Sequence, residues 1–598
     1  MASPIEDYAL LGDARGAALV DRTGSIDWLA VPDFDSPASF AALLGTEHNG
    51  NWLLAPAGAV TAVDRRYLDG TLVLETVYTT PEGAIAVIDC LSPTTTEPAL
   101  IRVVEGRQGR VTVDCALRIR FDYGSIVPWV RKLDGRLLAV GGPDGLVLDT
   151  PVELIGQDHR STATFSVRPG ERIPFALRWF SADRGPPDPV DADGTLSRAV
   201  TWWREWSAGT SYTGANHEDV ATSVRVLKAL THRPTGGIVA AATTSLPELV
   251  GGGRNWDYRF CWLRDSTFTL TALLLAGHDE EAAAWRDWLL RAIAGDPARL
   301  QIMYGTDGRR RLTELELAWL PGYEGSAPVR IGNGASGQFQ LDVYGEVMDT
   351  IDLARREGLA PDHDAWHIQQ ALLDFLEGHW KDPDDGIWEV RGPRRHFTHS
   401  RVMAWVAADR AVRAVEQVGM DGPVDRWRRL RDDIHADVLR NGVDERGVFV
   451  QHNDTTALDA SLLVVPLVGF LPPTDPRVRA TAEAIERELT EDGLVLRYRQ
   501  GHAADDGLAG DEGAFLLSSF WLADNLALIG RGADARALYD RLLSLRNDVG
   551  LLSEEYDVAN DRMLGNFPQA FSHVAIVNTA MNLCDQTVGP AERRANPR

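Results

Sequence analysis

The stretch from Gly550 to His573 holds the residue types that chemistry on a sugar needs. Glu554 and Glu555 follow Ser553 there, and aromatic side chains lie on both sides of a polar, glycine-containing loop. Hydrolysis of a glycosidic bond uses two carboxyl groups, one to protonate the leaving oxygen and one to activate water on the other face of the ring. Two adjacent glutamates alone more often form a solvated turn before a helix. The flanking aromatic residues favour a sugar site, and we predict that this stretch supplies one of the two carboxyl groups.

Glu389 is the candidate for the other carboxyl group. It follows Trp388 in a glycine-containing loop, and an apolar ring beside a carboxyl group raises its pKa, which suits a general acid at neutral pH. The alternative interpretation is a surface glutamate before a helix. Arg391, Arg394 and Arg395 come shortly afterwards. They would oppose the rise in pKa if they faced Glu389, or they would bind a second sugar or an anion.

A rival for the general acid lies in a third loop. This loop begins with Arg497 and Tyr498 and ends in an acidic, glycine-rich run at Glu512. Glu512 could donate the proton in place of Glu389, or it could cap the helix that we predict from residue 513 onward. Both acids stay candidates on the residues alone.

A sugar clamp is predicted where Arg264 and Asp265 open a helix just after Trp262. An arginine donates hydrogen bonds to sugar hydroxyls and an aspartate accepts them, while an indole packs on the ring. The same pair also fits an N-cap aspartate with a structural ion pair. Considered alone, the two interpretations are about even.

The composition indicates an acidic globular protein with no nucleic-acid or membrane partner. The chain has 598 residues and a formal net charge of -26, whereas nucleic acids and anionic bilayers attract proteins rich in Lys and Arg. A small neutral substrate suits this charge. Widely spaced cysteines without a CxxC pair, and the lack of a visible signal peptide, lead us to expect a cytoplasmic protein. We predict no metal site, and we expect these histidines to be ordinary polar residues: His396, His399, His452 and His573.

The order of predicted elements divides the chain into two domains. Short β-rich runs separated by turn residues predict an antiparallel β-sandwich over residues 1–193. A Pro- and Gly-rich segment ends there, and a linker helix is predicted within 194–214. Twelve segments with helical periodicity in 215–586 predict six helical hairpins closed into an (α/α)6 barrel. We expect residues 587–598 to be a disordered tail.

Together these motifs resemble glycoside hydrolase family 15, which holds glucoamylases, glucodextranases and prokaryotic trehalases. The resemblance covers nearly the whole chain and implies a sandwich followed by an (α/α)6 barrel. The run from Trp262 to Ser266 is similar to the family's Trp-Thr-Arg-Asp-Ser, whose Arg and Asp hold the nonreducing glucose. Arg497 and Tyr498 resemble an Arg-Tyr pair that lines the same subsite.

The same resemblance assigns the two catalytic acids. Trp388-Glu389 is similar to the family's Trp-Glu-Glu, whose first Glu is the general acid. The run from Ser553 to Asp557 is similar to Ser-Glu-Gln-Tyr-Asp, whose Glu is the general base, which makes Glu554 the base. Tyr556, in the same motif, is expected to contact substrate, as are Trp262, Trp388, Arg391 and Glu512.

Val390 stands where the family has its second acid, which implies a different site for the sugar beyond the scissile bond. This departure and the missing signal peptide lead us to expect an inverting trehalase that needs no cofactor for its chemistry. The alternatives are a glucoamylase or glucodextranase, a phosphate-dependent disaccharide phosphorylase, or an inactive sugar sensor. Some trehalases of the family depend on phosphate and magnesium, which the resemblance extends to this chain as an option, and a homo-oligomer is compatible with the sequence.

Overall fold

The computed structural model describes residues 2–358, 362–499, 506–508, 510–584, 589 and 591. The predicted tail therefore lies outside the described residues, apart from 589 and 591. The predicted limits 1–193, 194–214 and 215–586 stay a prediction. Within the described part of the chain, no helix is long and apolar enough to span a bilayer.

The N-terminal part is a sandwich of two antiparallel sheets of eight strands each, as the sequence predicts. One sheet has the order β1-β2-β3-β5-β10-β15-β14 with β4 beside β3, and the other has the order β11-β12-β13-β16-β9-β8-β7-β6. The strands are β1 (Ala9–Gly12), β2 (Ala17–Val20), β3 (Ser25–Ala30), β4 (Phe40–Ala41), β5 (Asn51–Pro56), β6 (Ala62–Tyr67), β7 (Leu74–Thr80), β8 (Gly83–Leu91), β9 (Ala99–Gly109), β10 (Val111–Arg118), β11 (Trp129–Leu133), β12 (Arg136–Gly141), β13 (Asp144–Asp149), β14 (Ile155–Gln157), β15 (Arg160–Val167) and β16 (Arg172–Ser181).

Alternating side chains fill the space between the sheets. Along β10 the burial alternates, so that Val111, Val113 and Cys115 face inward, as expected for a strand with one face in the core. Trp52 on β5 packs edge-to-face on Phe175 of β16, with ring centroids 6.1 Å apart. These contacts join the two sheets across one apolar core.

A helix rich in tryptophan joins the sandwich to the remainder of the chain. This helix, α1 (Ala192–Ser207), buries Trp203, and its Ser207 hydroxyl donates to the Gly70 carbonyl at 2.9 Å. Trp206 of the same helix stacks on His278 of the helical part of the chain, with ring centroids 4.0 Å apart. The helix therefore contacts both the sandwich and the helical part of the chain.

The remaining helices form two concentric layers. In the described residues they are α2 (His217–Ala229), α3 (Leu263–Leu275), α4 (Glu280–Ile293), α5 (Asp342–Arg356), α6 (His363–His379), α7 (Thr398–Val418), α8 (Val424–Asn441), α9 (Val464–Leu467), α10 (Pro476–Glu488), α11 (Leu516–Leu528), α12 (Gly532–Ser544) and α13 (Ala570–Asn582). The odd-numbered helices from α3 to α13 contact one another in order, and α13 returns to α3. The even-numbered helices pack outside them. The predicted (α/α)6 barrel is confirmed.

Sequence pattern explains which helices are inside. The inner helices α11 and α13 are apolar nearly all round and buried along most of their length, as expected for helices enclosed on every side. The outer helix α8 instead has a single apolar stripe on an otherwise charged surface: Trp427, Leu430, Ile434 and Val438.

One predicted helix is shorter than expected. The pattern predicts a helix over 457–468, whereas the structure has a 3-10 turn, Ala460–Leu463, followed by the single turn of α9. The side chain of Asp459 accepts from the Ser461 amide at 2.8 Å and so fixes the late start. Pro466, which lies within α9, has no N–H to continue a longer helical ladder.

Short strand pairs and 3-10 turns lie at the end of the barrel where the inner helices begin. The strands are β17 (Thr244–Pro247), β18 (Asn255–Asp257), β19 (Cys261–Trp262), β20 (Met303–Tyr304), β21 (Leu315–Glu316), β22 (Arg330–Ile331), β23 (Thr490–Glu491), β24 (Leu494–Val495), β25 (Ala514–Phe515), β26 (Glu555–Asp557) and β27 (Arg562–Leu564). Strand β19 leads into α3, and β25 leads into α11. These pairs fix the loops that carry the predicted chemistry.

Candidate active site

A pocket opens at the end of the barrel where the inner helices begin. Its empty space is about 680 Å³, which includes solvent at its open mouth. All predicted site residues except Glu512 and Tyr556 line it. The lining consists of Ala240, Glu248, Arg254, Trp256, Tyr258, Trp262, Arg264, Asp265, Asn333, Ile387, Trp388, Glu389, Arg391, Arg497, Tyr498, Leu508, Phe515, Glu554, Gln569 and Phe571.

Glu389 is held in the pocket by two donors. The indole Nε1 of Trp262 donates to its Oε1 at 2.6 Å, and Arg264 Nη2 donates to the same oxygen at 3.4 Å. Its backbone adopts φ +57°, a left-handed conformation that costs a non-glycine residue about 1–2 kcal/mol. The Gln338 amide donates to the carbonyls of Glu389 and Val390 at 3.1 and 3.0 Å and so supports that conformation.

Burial raises the pKa of the Glu389 carboxyl group, while the Arg264 guanidinium, the Trp262 indole and Arg391 lower it. The net direction is upward because burial is the largest of these effects. A carboxyl group with a raised pKa beside a pocket keeps its proton to a higher pH and can donate it.

Glu554 lies in the same pocket and is only 2% exposed. The amide of Asn566 donates to its Oε2 at 3.3 Å, and the Tyr258 hydroxyl hydrogen-bonds its carboxylate. Burial and the neighbouring Glu248 raise the pKa of Glu554, and Arg497 lowers it. The negative and positive charges next to Glu554 therefore shift its pKa in opposite directions.

A pair of aromatic rings connects the two carboxyl groups. Tyr258 and Trp262 pack edge-to-face with ring centroids 5.2 Å apart. The Tyr258 hydroxyl bonds Glu554, and the Trp262 indole bonds Glu389. Because each ring holds a different acid, this one segment fixes both carboxyl groups relative to each other.

Three buried acids lie close together, and two of them, Glu248 and Glu554, line the pocket. Carboxylate oxygens of Glu248, Glu554 and Glu555 lie within 4.8 Å of one another, the only such group of possible metal ligands found among the described residues. Arg497 Nη2 lies 3.0 Å from Glu248 and 3.5 Å from Glu555, so a guanidinium already supplies positive charge there. Burial and Glu248 raise the pKa of Glu555 well above its usual range.

Glu512 does not line the pocket, and two arginines donate hydrogen bonds to it. Arg497 Nε and Nη2 donate to its two oxygens at 2.9 and 2.6 Å, and Arg254 Nη1 donates at 3.1 Å. The Tyr498 hydroxyl donates to Asp506 at 2.6 Å, and Arg254 pairs with the same aspartate at 2.8 Å. This network orders the wall formed by Arg497 and Tyr498.

The predicted clamp lies at the first turn of α3. Arg264 Nη1 pairs at 3.3 Å with Asp342, the first residue of α5, and donates at 3.4 Å to Gln340, which precedes that helix. Asp265 also lines the pocket, and burial raises its pKa to about 7, opposed by Arg264 and reinforced by Glu389. The structural ion pair and the pocket-facing position therefore occur together.

Trp388 and Arg391 reach the pocket, but the neighbouring Arg394 does not line it. The Trp388 indole donates to Asp459 at 2.9 Å, which fixes the ring as a pocket wall. The Arg391 guanidinium lies 5.0 Å from the centroid of the Trp256 ring and pairs with Glu314. Arg394 instead pairs with Asp385 at 3.1 Å.

Tyr556 lies away from the pocket lining. Its hydroxyl donates to Asp561 at 2.5 Å, across the turn between β26 and β27. The side chain is largely buried and contributes to the apolar core. Its geometry supports the turn that follows Glu554.

Several pocket residues were not predicted to act there. Tyr258 stands four residues before Trp262, and this spacing was the one signal that could have revealed it. Gln569 and Phe571 belong to the stretch Gly550–His573 but were not singled out, and Glu248 has no distinctive sequence context. Only the folding of a distant segment brings Glu248 to the pocket.

Comparison with known proteins agrees with this geometry. A family model described as glycosyl hydrolases family 15 matches residues 214–581. The chain belongs to glycoside hydrolase family 15. A second model, described as a trehalase-like N-terminal domain, matches residues 1–191. The family membership predicted from the sequence motifs is thus confirmed, and the protein is a glycoside hydrolase.

Similar proteins span nearly the whole chain. It is 39% identical to a protein named trehalase from Mycobacterium tuberculosis, over 97% of this chain and 89% of that protein. It is 40% identical to a protein named trehalase from Mycolicibacterium smegmatis, over 97% of this chain and 91% of that protein. A crystal structure of a bacterial glucoamylase complexed with acarbose superposes with a TM-score of 0.71 at 13% identity, covering 100% of this chain and 97% of that one. This last likeness shows the family 15 fold.

Proposed function

We propose that the protein is an inverting trehalase that hydrolyses α,α-trehalose to two glucose molecules. The observation that carries the proposal is one pocket holding two carboxyl groups with separate donors, Glu389 and Glu554. The near full-length similarity to proteins named trehalase supports the choice of substrate. No cofactor is needed, because both proton transfers use side chains of the chain itself.

Glu389 acts as the general acid in this proposal. It donates its proton to the glycosidic oxygen as the bond to the anomeric carbon breaks. Glu554 acts as the general base and takes a proton from the water that attacks this carbon from the opposite face. The first glucose is then released with inverted configuration, and the other retains its own. Inversion requires the two carboxyl groups to be roughly 6.5–9.5 Å apart, with water between them.

The remaining pocket residues bind the sugar. Arg264 and Asp265 supply donors and acceptors for adjacent hydroxyls of the nonreducing glucose. The faces of Trp262 and Trp388 cover the apolar side of the ring. Arg391, at the mouth and 30% exposed, is placed to contact the second glucose.

Glu389 is preferred to Glu512 as the acid because the two have different partners. Both oxygens of Glu512 accept hydrogen bonds from arginines. Glu389 lines the pocket and has a raised pKa. Glu512 does not line the pocket.

The phosphate and magnesium dependence of some relatives is not part of this proposal. Two of the three arginines considered for an anion are paired with acids, Arg391 with Glu314 and Arg394 with Asp385. Cytoplasmic location is proposed from the sequence and from the free cysteines Cys90, Cys115, Cys261 and Cys584.

Substrate preference tests the proposal. Initial rates of glucose release are measured with trehalose, maltose and isomaltose, each with and without phosphate or a chelator. We expect trehalose to be the best substrate and the rate to be independent of both additions. Faster cleavage of maltose or isomaltose would instead indicate glucoamylase or glucodextranase activity. Glucose 1-phosphate formed only with phosphate would indicate a phosphorylase.

A further inference from the structure

Residues of the sandwich contact Arg259, a buried arginine in the segment from Tyr258 to Trp262 that lies beside the pocket. Its Nη2 donates to the Tyr123 hydroxyl at 2.7 Å, and its Nη1 donates to the Ser36 carbonyl at 2.9 Å. The guanidinium also lies over the rings of Trp28 and Tyr123, 5.6 and 5.3 Å from their centroids. Arg259 is 1% exposed, so the N-terminal part supplies most of what replaces its hydration.

The same guanidinium holds an aspartate of the barrel. Arg259 Nε and Nη2 donate to the two oxygens of Asp257 at 2.9 and 2.7 Å, the two-point geometry that orients both partners. Asp257 Oδ2 also accepts from the Gly332 amide at 3.1 Å, and the Asp257 carbonyl accepts from the Asn333 side chain at 3.4 Å. Asn333 lines the pocket, so the contact continues to its wall.

Arg259 lies within the segment that fixes both catalytic candidates. Tyr258 precedes it directly and bonds Glu554. Trp262 follows three residues later and bonds Glu389. A shift of Arg259 would therefore move the donors of both carboxyl groups.

Trp28 makes a second contact with the pocket side. Its Nε1 donates to the Ala242 carbonyl at 2.9 Å. The neighbouring Ala241 pairs with Gln569, and both Ala240 and Gln569 line the pocket. The sandwich thus touches the pocket through two separate segments of the barrel.

We propose that Trp28 and Tyr123 of the sandwich are positioning residues for catalysis, acting through Arg259 and Asp257 on the Tyr258–Trp262 segment. None of them contacts the substrate in this account. The catalytic consequence rests on the proposed function, whereas the ordering of the segment does not. Misplacement of reacting groups by about 1 Å can cost roughly 100-fold in rate, so a modest shift is measurable.

Arg259→Lys tests the arginine, with Arg102→Lys as the matched control. Lysine keeps the charge but lacks the fork that bonds two partners at once. Arg102 has the same surroundings inside the sandwich, paired with Asp89 at 2.8 Å and lying 5.1 Å from the Trp52 centroid. We expect Arg259→Lys to lower kcat about 10- to 100-fold with little change in KM. Arg102→Lys should leave kcat within about twofold of wild type.

Tyr123→Phe covers the case in which Arg259→Lys does not fold. It removes one hydroxyl and keeps the ring over the guanidinium. Tyr67→Phe is its control, because the Tyr67 hydroxyl donates to the Leu10 carbonyl, which also belongs to the sandwich. We expect a loss in kcat of about threefold to tenfold for Tyr123→Phe. An equal kcat for the two folded variants would overturn the proposal.

Hydrogen–deuterium exchange of the full chain separates this proposal from the proposed function. Peptides covering residues 255–266 should exchange faster in Arg259→Lys and Tyr123→Phe than in either control. If wild type does not turn over trehalose, the proposed function fails, and exchange still decides whether the sandwich orders the segment. Unchanged exchange in 255–266 would overturn the positioning role whatever the activity.

Discussion

Glu389 and Glu554, the proposed acid and base, have different surroundings. Glu389 is surrounded by an indole N–H and a guanidinium, and Glu554 by other acids and one phenol. Sequence motifs predicted both residues, since each follows a recognisable local pattern. Glu248 and Tyr258, which tune Glu554, were not predicted to do so, because only long-range folding brings Glu248 to it.

If Glu389 is the general acid, we expect the Trp262 hydrogen bond to influence the alkaline limit of activity. This bond lowers the pKa of Glu389, so Trp262→Phe should raise that pKa. The general acid must be protonated to act, and the alkaline limb of kcat/KM should move to higher pH. A pH profile of kcat/KM measures this, and an alkaline limb that stays in place or moves down would contradict Glu389 as the acid.

If Glu554 is the general base, we expect Glu248 to influence the acid limit of activity. Its negative charge raises the pKa of Glu554, so Glu248→Gln should lower that pKa and move the acid limb of kcat/KM to lower pH. The base must be ionised to act, which fixes this sign. Glu281→Gln is a suitable control, because Glu281 is a buried glutamate paired with Lys228 at 2.6 Å and outside the pocket lining. An acid limb shifted equally by both changes would argue against a specific role for Glu248.

Short strands and helix starts determine which loops meet. Trp262 ends β19 before α3, Phe515 ends β25 before α11, and Gln569 caps α13. Helical periodicity predicted nearly all of these helices because each buries a regular stripe or is apolar all round. The turn around residues 457–468 was predicted wrongly as a full helix, because a capping aspartate and a proline outweigh the apolar pattern there.

A glycine between β27 and α13 makes room for the base. Gly565 has φ +73°, and a Cβ there would lie 2.6 Å from Glu554 Oε2. Gly565→Ala should therefore displace the carboxylate and lower kcat at least 10-fold. Gly530→Ala is the control, since Gly530 has φ +87° and open space around its Cβ position. Both changes carry a similar backbone cost of about 1–2 kcal/mol, so equal kcat values would show that the clash is unimportant.

At the scale of the whole molecule, composition and pattern predicted a sandwich followed by a barrel. They did not predict how the sandwich packs on the pocket motif, because Trp28 and Tyr123 lie more than 130 residues from Arg259. Contacts between residues so far apart along the chain produce no periodic pattern in the sequence. Arg65 of the sandwich makes another contact between the two parts. Its buried side chain pairs with Asp548, which lies shortly before Glu554 in the chain.

Buried acids favour the folded state at mildly acidic pH. Burial raises the pKa of four aspartates from 3.8, to about 6 for Asp13 and Asp27 and about 7 for Asp265 and Asp384. As pH rises from 4 to 7, the contribution of these four groups to the free energy of unfolding falls. Burial lowers the pKa of His573 to about 3, which acts in the opposite direction below about pH 6.5. Asp384→Asn removes one of the four aspartates, so the Tm at pH 8 minus the Tm at pH 5.5 should be higher in this variant than in wild type. An equal or lower difference would contradict these shifts.

Replacement of the two catalytic candidates should separate chemistry from folding. Glu389→Gln and Glu554→Gln each remove a proton-transfer group while keeping shape, so kcat should fall by roughly 10²–10⁴-fold. Thermal unfolding should still be cooperative for both variants. Glu512→Gln offers the direct comparison for the rival acid, and a larger loss in this variant with normal stability would transfer the acid role to Glu512.

The most direct test of the central claim is proton NMR of trehalose hydrolysis at early times, before the anomers equilibrate. A base that directs water to the face opposite the leaving group predicts one α-glucose and one β-glucose for each trehalose cleaved by wild type. Glu554→Gln should abolish the β-glucose signal at matched enzyme concentration. Two α-glucose molecules per trehalose would contradict the inverting pair of Glu389 and Glu554.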